Sequence, residues 1–204
     1  MRRRYLPESI RDIWEEIEEY IEMTNAGEIL RRYFVMNAFD GALTVLGFVM
    51  GAHVSGLKDA NIVLTASVSM SFAMGVSGFV GAFITEKAER EKKKHELEEA
   101  MLTNLDGTTV DRAAKFVTFL AALVDALAPA IAALVCISPF VLVIYNLIIF
   151  DFAFTLSTAI TLGLLFLMGI YLGRVAKSNE LIYGIYMLVA GLITSIIISL
   201  VGRW

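Results

Sequence analysis

The chain has 204 residues, 57% of them hydrophobic, and a mean hydropathy of +0.69. That is more apolar surface than a water-soluble domain of this size can bury, so lipid is the expected solvent for the excess. The net charge is −4, and the bases cluster beside apolar runs instead of forming a stripe with aromatic residues, which argues against nucleic acid as a partner.

Residues 1–32 carry Arg2, Arg3, Arg4 and seven carboxylates before Asn25. They contain no apolar h-region, so no removable signal peptide is expected and the first span acts as its own insertion signal. From Pro7 to Met23, Ile10, Ile13, Trp14, Ile17 and Ile21 fall on one helical stripe, with Glu15, Glu16, Glu18, Glu19 and Glu22 largely around the rest. Such a stripe needs a partner surface, either the bilayer interface or a neighbouring helix.

Five apolar runs are each long enough to cross about 30 Å of hydrocarbon. They are Phe34–Val54, Ala60 to about Thr85, about Phe116 past Val135, Phe152–Val175 and Leu181–Val201. The fold class is therefore all-α, a multi-pass membrane protein of five transmembrane helices with helical extensions. Residues 136–151 are also apolar. Pro139 and the Tyr145-Asn146 pair there point to a bent helix end and a short turn, not a sixth span. Between spans two and three, Glu86–Met101 continues the helix without a breaker and is almost wholly charged. Asn104, Asp106-Gly107 and Thr108-Thr109 then supply turn and cap chemistry. With the N-terminus in the cytoplasm, fifteen of the 17 lysines and arginines lie inside, leaving only Lys58 and Arg203 outside. The expected division is a cytoplasmic amphipathic acidic helix (1–32), spans one and two (33–85), a cytoplasmic charged helix and turn (86–112) and spans three to five (113–204). Cys136, the lone cysteine, is read as a packing residue.

Ionisable residues inside a span cost roughly 2.5 to 3.5 kcal/mol on insertion scales and so mark pathways or partners. Asp40 and Asp125 qualify, at depths of roughly 9 and 14 Å from the cytoplasmic starts of their spans. Met74 falls in the same layer. Two carboxylates and a thioether suit a divalent cation of borderline softness. A structural reading stands beside this one, since Asp125 sits four residues before Pro129 and is placed to bond backbone freed by the proline. His53 is expected as a solvated residue at the outer end of span one. Gly47 and Gly51, and Gly75, Gly78 and Gly81, form small-residue faces for close helix packing, within the chain or between two copies. On the charged helix, Glu86, Glu89, Glu96 and Glu99 share an arc of roughly 140° and offer carboxylates to a divalent ion, although a salt-bridged, solvated face explains them equally well. No nucleophile-base arrangement or cofactor motif stands out, so neither an enzyme nor a bound cofactor is expected.

The run Asn37-Ala38-Phe39-Asp40-Gly41-Ala42-Leu43-Thr44-Val45-Leu46-Gly47 resembles the first-span signature of the vacuolar iron transporter family. Ser69-Met70-Ser71-Phe72-Ala73-Met74-Gly75-Val76-Ser77-Gly78-Phe79-Val80 is similar to that family's second span, and Ala126-Leu127-Ala128-Pro129 to its third-span proline motif. The resemblance implies a dimeric exporter of iron(II), and often manganese(II), from the cytoplasm in exchange for protons. It would make Asp40 and Met74 membrane metal-site residues and the Glu86, Glu89, Glu96 and Glu99 face a metal-collecting surface. It also implies a cell membrane in a prokaryote or a vacuolar-type membrane in a eukaryote. Two departures matter. Gly78 stands where the family usually has a glutamate, leaving Asp125 as a substitute source of charge, and the segment between spans two and three is short. A non-transporting scaffold or metal sensor with acidic cytoplasmic helices is the alternative function.

Overall fold

The computed structural model describes residues 17–202. Among these are six helices and no strand: α1 (17–24), α2 (Ala26–Val54), α3 (Ala60–Met101), α4 (Thr109–Ile144), α5 (Phe150–Val175) and α6 (Glu180–Val201). The five helices α2 to α6 are long and apolar enough to cross a membrane, as the sequence pattern predicts. At 1.5 Å per residue even α6 reaches about 33 Å, against a hydrocarbon core of about 30 Å. The protein is an integral, multi-pass membrane protein.

Local chemistry sets the breaks. Asn25 takes a positive φ of 51° between α1 and α2, a conformation asparagine tolerates better than most residues. The Asp59 carboxylate opens α3 by accepting from Asn61 N at 2.8 Å and Ile62 N at 3.4 Å, and the Asn179 side chain does the same for Leu181 N and Ile182 N at the start of α6. As expected, α3 continues past the membrane-length run into the charged segment, 42 residues without a break. It ends where Leu102 enters the left-handed region. In the connection that follows, Thr108 Oγ1 donates to the Leu105 carbonyl and accepts from Asp111 N.

Helix α4 passes through both Pro129 and Pro139 and stops at Ile144. The turn after it has Asn146 at φ 55°, so 136–151 is a helix end and a turn and not a sixth span. Each proline removes one i to i−4 hydrogen bond. At Pro139 the sequence makes good the loss, because Ser138 Oγ donates to the stranded Val135 carbonyl at 2.8 Å. At Pro129 the preceding residue is Ala128, which has no hydroxyl to offer Asp125.

The described residues form two compact units, 17–33 with 77–125 and 34–76 with 126–202. In the first, Tyr20 is buried and its ring lies 5.8 Å from that of Phe116, while Ile17 and Ile21 are half-buried. Tyr20, beside the stripe, thus packs on α4, and the part of the stripe before residue 17 lies outside the described residues. In the second unit the core is built from small side chains, Ala38, Ala42, Ala128, Ala132, Ala133 and Cys136 among them, with Phe140 as the largest fully buried residue. Helices that share lipid as their common solvent associate through such close, small-residue contacts. One such contact joins α5 and α6, where a Cβ on Gly169 would stand 2.4 Å from the Tyr183 carbonyl oxygen. Gly51 and Gly81, expected to pack, face open space. His53 is not freely solvated: it stacks on Phe154 at 3.8 Å between ring centroids.

Candidate functional site

The first-span and third-span motifs meet within the second unit. Gly41, next to Asp40, lies so close to α4 that a Cβ there would stand 2.4 Å from the Pro129 carbonyl oxygen and 2.6 Å from its Cα. Backbone does not yield to such an intrusion, so glycine is required. Asp40 itself is exposed on α2, and Met74 packs, half-buried, against the apolar core.

Asp125 belongs to the first unit and is buried, at 7% exposure. It lies over Gly78, where a Cβ would stand 2.7 Å from Asp125 Oδ2 and 3.0 Å from the Asp125 main-chain oxygen. That main-chain oxygen is the one Pro129 cannot serve with an amide. Two oxygens of one residue thus converge on a single glycine, and the space beside position 78 holds a carboxylate delivered by α4. From the sequence, only the glycine and the Asp-x-x-x-Pro spacing hinted at this. The approach of the two helices depends on packing that no local pattern records.

The four glutamates on the charged part of α3 do not form one donor set. Glu86 is buried and accepts from the Tyr33 hydroxyl at 3.0 Å, with Arg90 Nε 3.5 Å from its other oxygen. Glu89 pairs with Lys93 at 3.4 Å, Glu96 with Lys92 at 3.8 Å and Glu99 with His95 at 3.4 Å, all at i, i+4 spacing on the helix. Among the described residues no group of three or more histidine, cysteine, aspartate or glutamate side chains is arranged to hold a metal ion.

Sequence reasoning missed the polar hub beside this helix. The Lys94 ammonium reaches Asp106, Asp111 at 3.3 Å and Glu98 at 3.8 Å. Asp111 also accepts from Lys115 Nζ at 2.7 Å and from Gly107 N at 3.2 Å. The bond from Lys115, then that from the Gly107 amide, hold the Asp111 carboxyl at a pKa of about 2. The hub ties α3 to the start of α4 across the connecting turn.

A model of the VIT family matches residues 31–105, which hold both the Asp40-Gly41 motif and the whole glutamate face. An uncharacterized protein of Methanocaldococcus jannaschii is 31% identical over 182 residues, covering 87% of this chain and 91% of its own. The chain belongs to the VIT family. Membership bears out the resemblance carried by the first two spans, and the relative extends the similarity well beyond the matched segment, across most of the chain. It suggests metal transport as the functional class of this membrane protein.

Proposed function

We propose that this VIT family protein carries a divalent transition metal, iron(II) or manganese(II), out of the cytoplasm in exchange for protons, working as a homodimer. The observation that carries the reading is Asp125, a carboxylate and a main-chain oxygen brought together over Gly78 inside a span. Oxygen donors with a net charge suit a hard or borderline divalent ion. Asp40 and Met74 belong to the other unit and offer a carboxylate and a thioether there. A carboxylate can take either a metal ion or a proton, so exchange of one for the other is the cycle that fits this reading. The distribution of bases supports a cytoplasmic N-terminus.

The glutamate face has a second place in this reading. Among the described residues Glu89, Glu96 and Glu99 are held by exposed pairs, which are weak and which a divalent ion can displace, whereas Glu86 stays with Tyr33 and Arg90. The test is flux in proteoliposomes with iron(II), manganese, cobalt, zinc and magnesium, with and without an imposed pH gradient. Flux of iron or manganese that accelerates with an opposing proton gradient supports the proposal. Flux indifferent to the gradient removes the antiport, and no flux for any ion leaves a scaffold or sensor in its place.

A further inference from the structure

We propose that the unit formed by 17–33 and 77–125 contains an anion site that takes a phosphate group between Arg32 and Arg90. Both arginines line one cavity of about 580 Å³, together with Lys93, Lys94, Glu86 and Glu89. Of the four bases that line this cavity, Lys93, Lys94 and Arg90 face carboxylates, which leaves Arg32 as the base with no ion pair among the described residues.

The pairing inside the cavity narrows the choice further. Glu86 accepts from Tyr33, Glu89 is paired with Lys93, and Lys94 is shared among Glu98, Asp106 and Asp111. Arg32 has no ion-pair partner among the described residues, its guanidinium lying 5.9 Å from the Tyr33 ring centre. Arg90 is nearly buried, its side chain 12% exposed, and its contact with Glu86 at 3.5 Å is an ion pair without a hydrogen bond. Its Nε and Nη2 are buried and have no hydrogen-bond partner among the described residues. These two atoms form one edge of the guanidinium, the fork that meets two oxygens of a carboxylate or phosphate side by side. Folded proteins rarely leave such donors buried and unmet.

A tetrahedral oxyanion fits this donor set. It offers two oxygens to the Arg90 fork and further oxygens to Arg32, whereas a halide accepts no bidentate pair. Arg90 lies five residues past Thr85, the expected end of span two, or about 7.5 Å along the helix. The phosphate of a lipid headgroup can reach it as well as a free phosphate ion. Nothing in this inference depends on metal transport, and its test contains no metal.

The experiment titrates inorganic phosphate into the full chain in detergent micelles by calorimetry at constant ionic strength, with chloride as the control. A parallel arm reads phosphatidylglycerol retained by the protein in native mass spectrometry. Arg90→Lys keeps the charge and deletes the fork. Saturable phosphate binding that weakens about tenfold or more in Arg90→Lys identifies a free-anion site, that being the scale of one lost charge-assisted hydrogen bond. Phosphatidylglycerol retained by the wild type and lost in Arg90→Lys, without binding of free phosphate, identifies the lipid headgroup as the source. No binding in either arm, or equal binding by the variant, overturns the proposal. Size-exclusion profile and far-ultraviolet circular dichroism verify the variant's fold. If Arg90→Lys misfolds, Arg32→Gln at an exposed position is read by the same criterion.

Discussion

Adding one methyl group at Gly78 separates a packing role for this glycine from a role in seating Asp125. In Gly78→Ala the new Cβ falls 2.7 Å from Asp125 Oδ2 and 3.0 Å from the Asp125 main-chain oxygen, so the carboxylate swings away and the backbone of α4 yields by a few tenths of an ångström. Overpacking of this kind costs about 1–3 kcal/mol. Replacing glycine by alanine inside a helix returns about 1 kcal/mol. The net loss is thus about 0–2 kcal/mol, and the control that exposes it is Gly81→Ala, where the added methyl meets nothing within 4 Å and only the helix-propensity gain remains. The two variants should differ in unfolding free energy by about 1–3 kcal/mol, measured by denaturant titration in detergent micelles. Metal flux per folded protein should fall to background in Gly78→Ala and stay normal in Gly81→Ala. Adding Asp125→Ala to Gly78→Ala removes the clash with Oδ2 and leaves the one with the main-chain oxygen, so stability returns in part while flux does not. Equal stabilities for Gly78→Ala and Gly81→Ala would refute the close approach, and recovery of flux in the double variant would refute the role of the carboxylate.

Asp40→Asn nearly preserves volume and hydrogen-bonding capacity, so it should insert and fold with a normal size-exclusion profile yet lose metal flux; normal flux would remove Asp40 from the transport path. The carboxyl of Asp111, held at about 2, lies below the ordinary aspartate value, so its contribution to stability is complete above about pH 4 and disappears as pH falls toward 2. Thermal unfolding followed by circular dichroism should show that loss, and Asp111→Asn should flatten the curve in the same window. A cysteine at position 178, in a Cys136→Ser background, should be labelled from the cytoplasmic side, and labelling from outside alone would rule out the proposed topology. Replacing Glu89, Glu96 and Glu99 by glutamine should leave stability almost unchanged and weaken divalent-metal binding in calorimetry, whereas Glu86→Gln should lower the melting temperature by disturbing the contacts with Tyr33 and Arg90. Unaltered metal affinity in the triple variant would leave that face a solvated charge run.

The helices were readable because each signal is local and long. About twenty apolar residues announce a span wherever they occur, Glu86–Met101 lacks any breaker, and Asn146 stops α4 through its own backbone preference. The glutamate pairs were half readable. Spacing put Glu89 opposite Lys93 and Glu96 opposite Lys92, but it could not weigh those partners against a metal ion. The seat of Asp125 was readable only as two separate oddities, a missing side chain at position 78 and an aspartate ahead of a proline. Their meeting is a tertiary event between residues 47 positions apart. The Lys94 hub and the buried Arg90 edge left no trace in the pattern, because a charge buried by a neighbouring helix looks the same in one dimension as a charge left in solvent.

The two prolines of α4 differ in one neighbour, and the difference gives the helix one self-contained joint and one dependent joint. At Pro139 the serine beside it answers the stranded Val135 carbonyl, so that bend carries its own repair and is indifferent to what lies around it. Alanine at 128 has no hydroxyl for the Asp125 carbonyl, so that stretch of backbone depends on other parts of the protein. Writing Ser-Pro at one position and Ala-Pro at the other makes the first repair its own carbonyl and leaves the second to its surroundings, a difference of a single hydroxyl group.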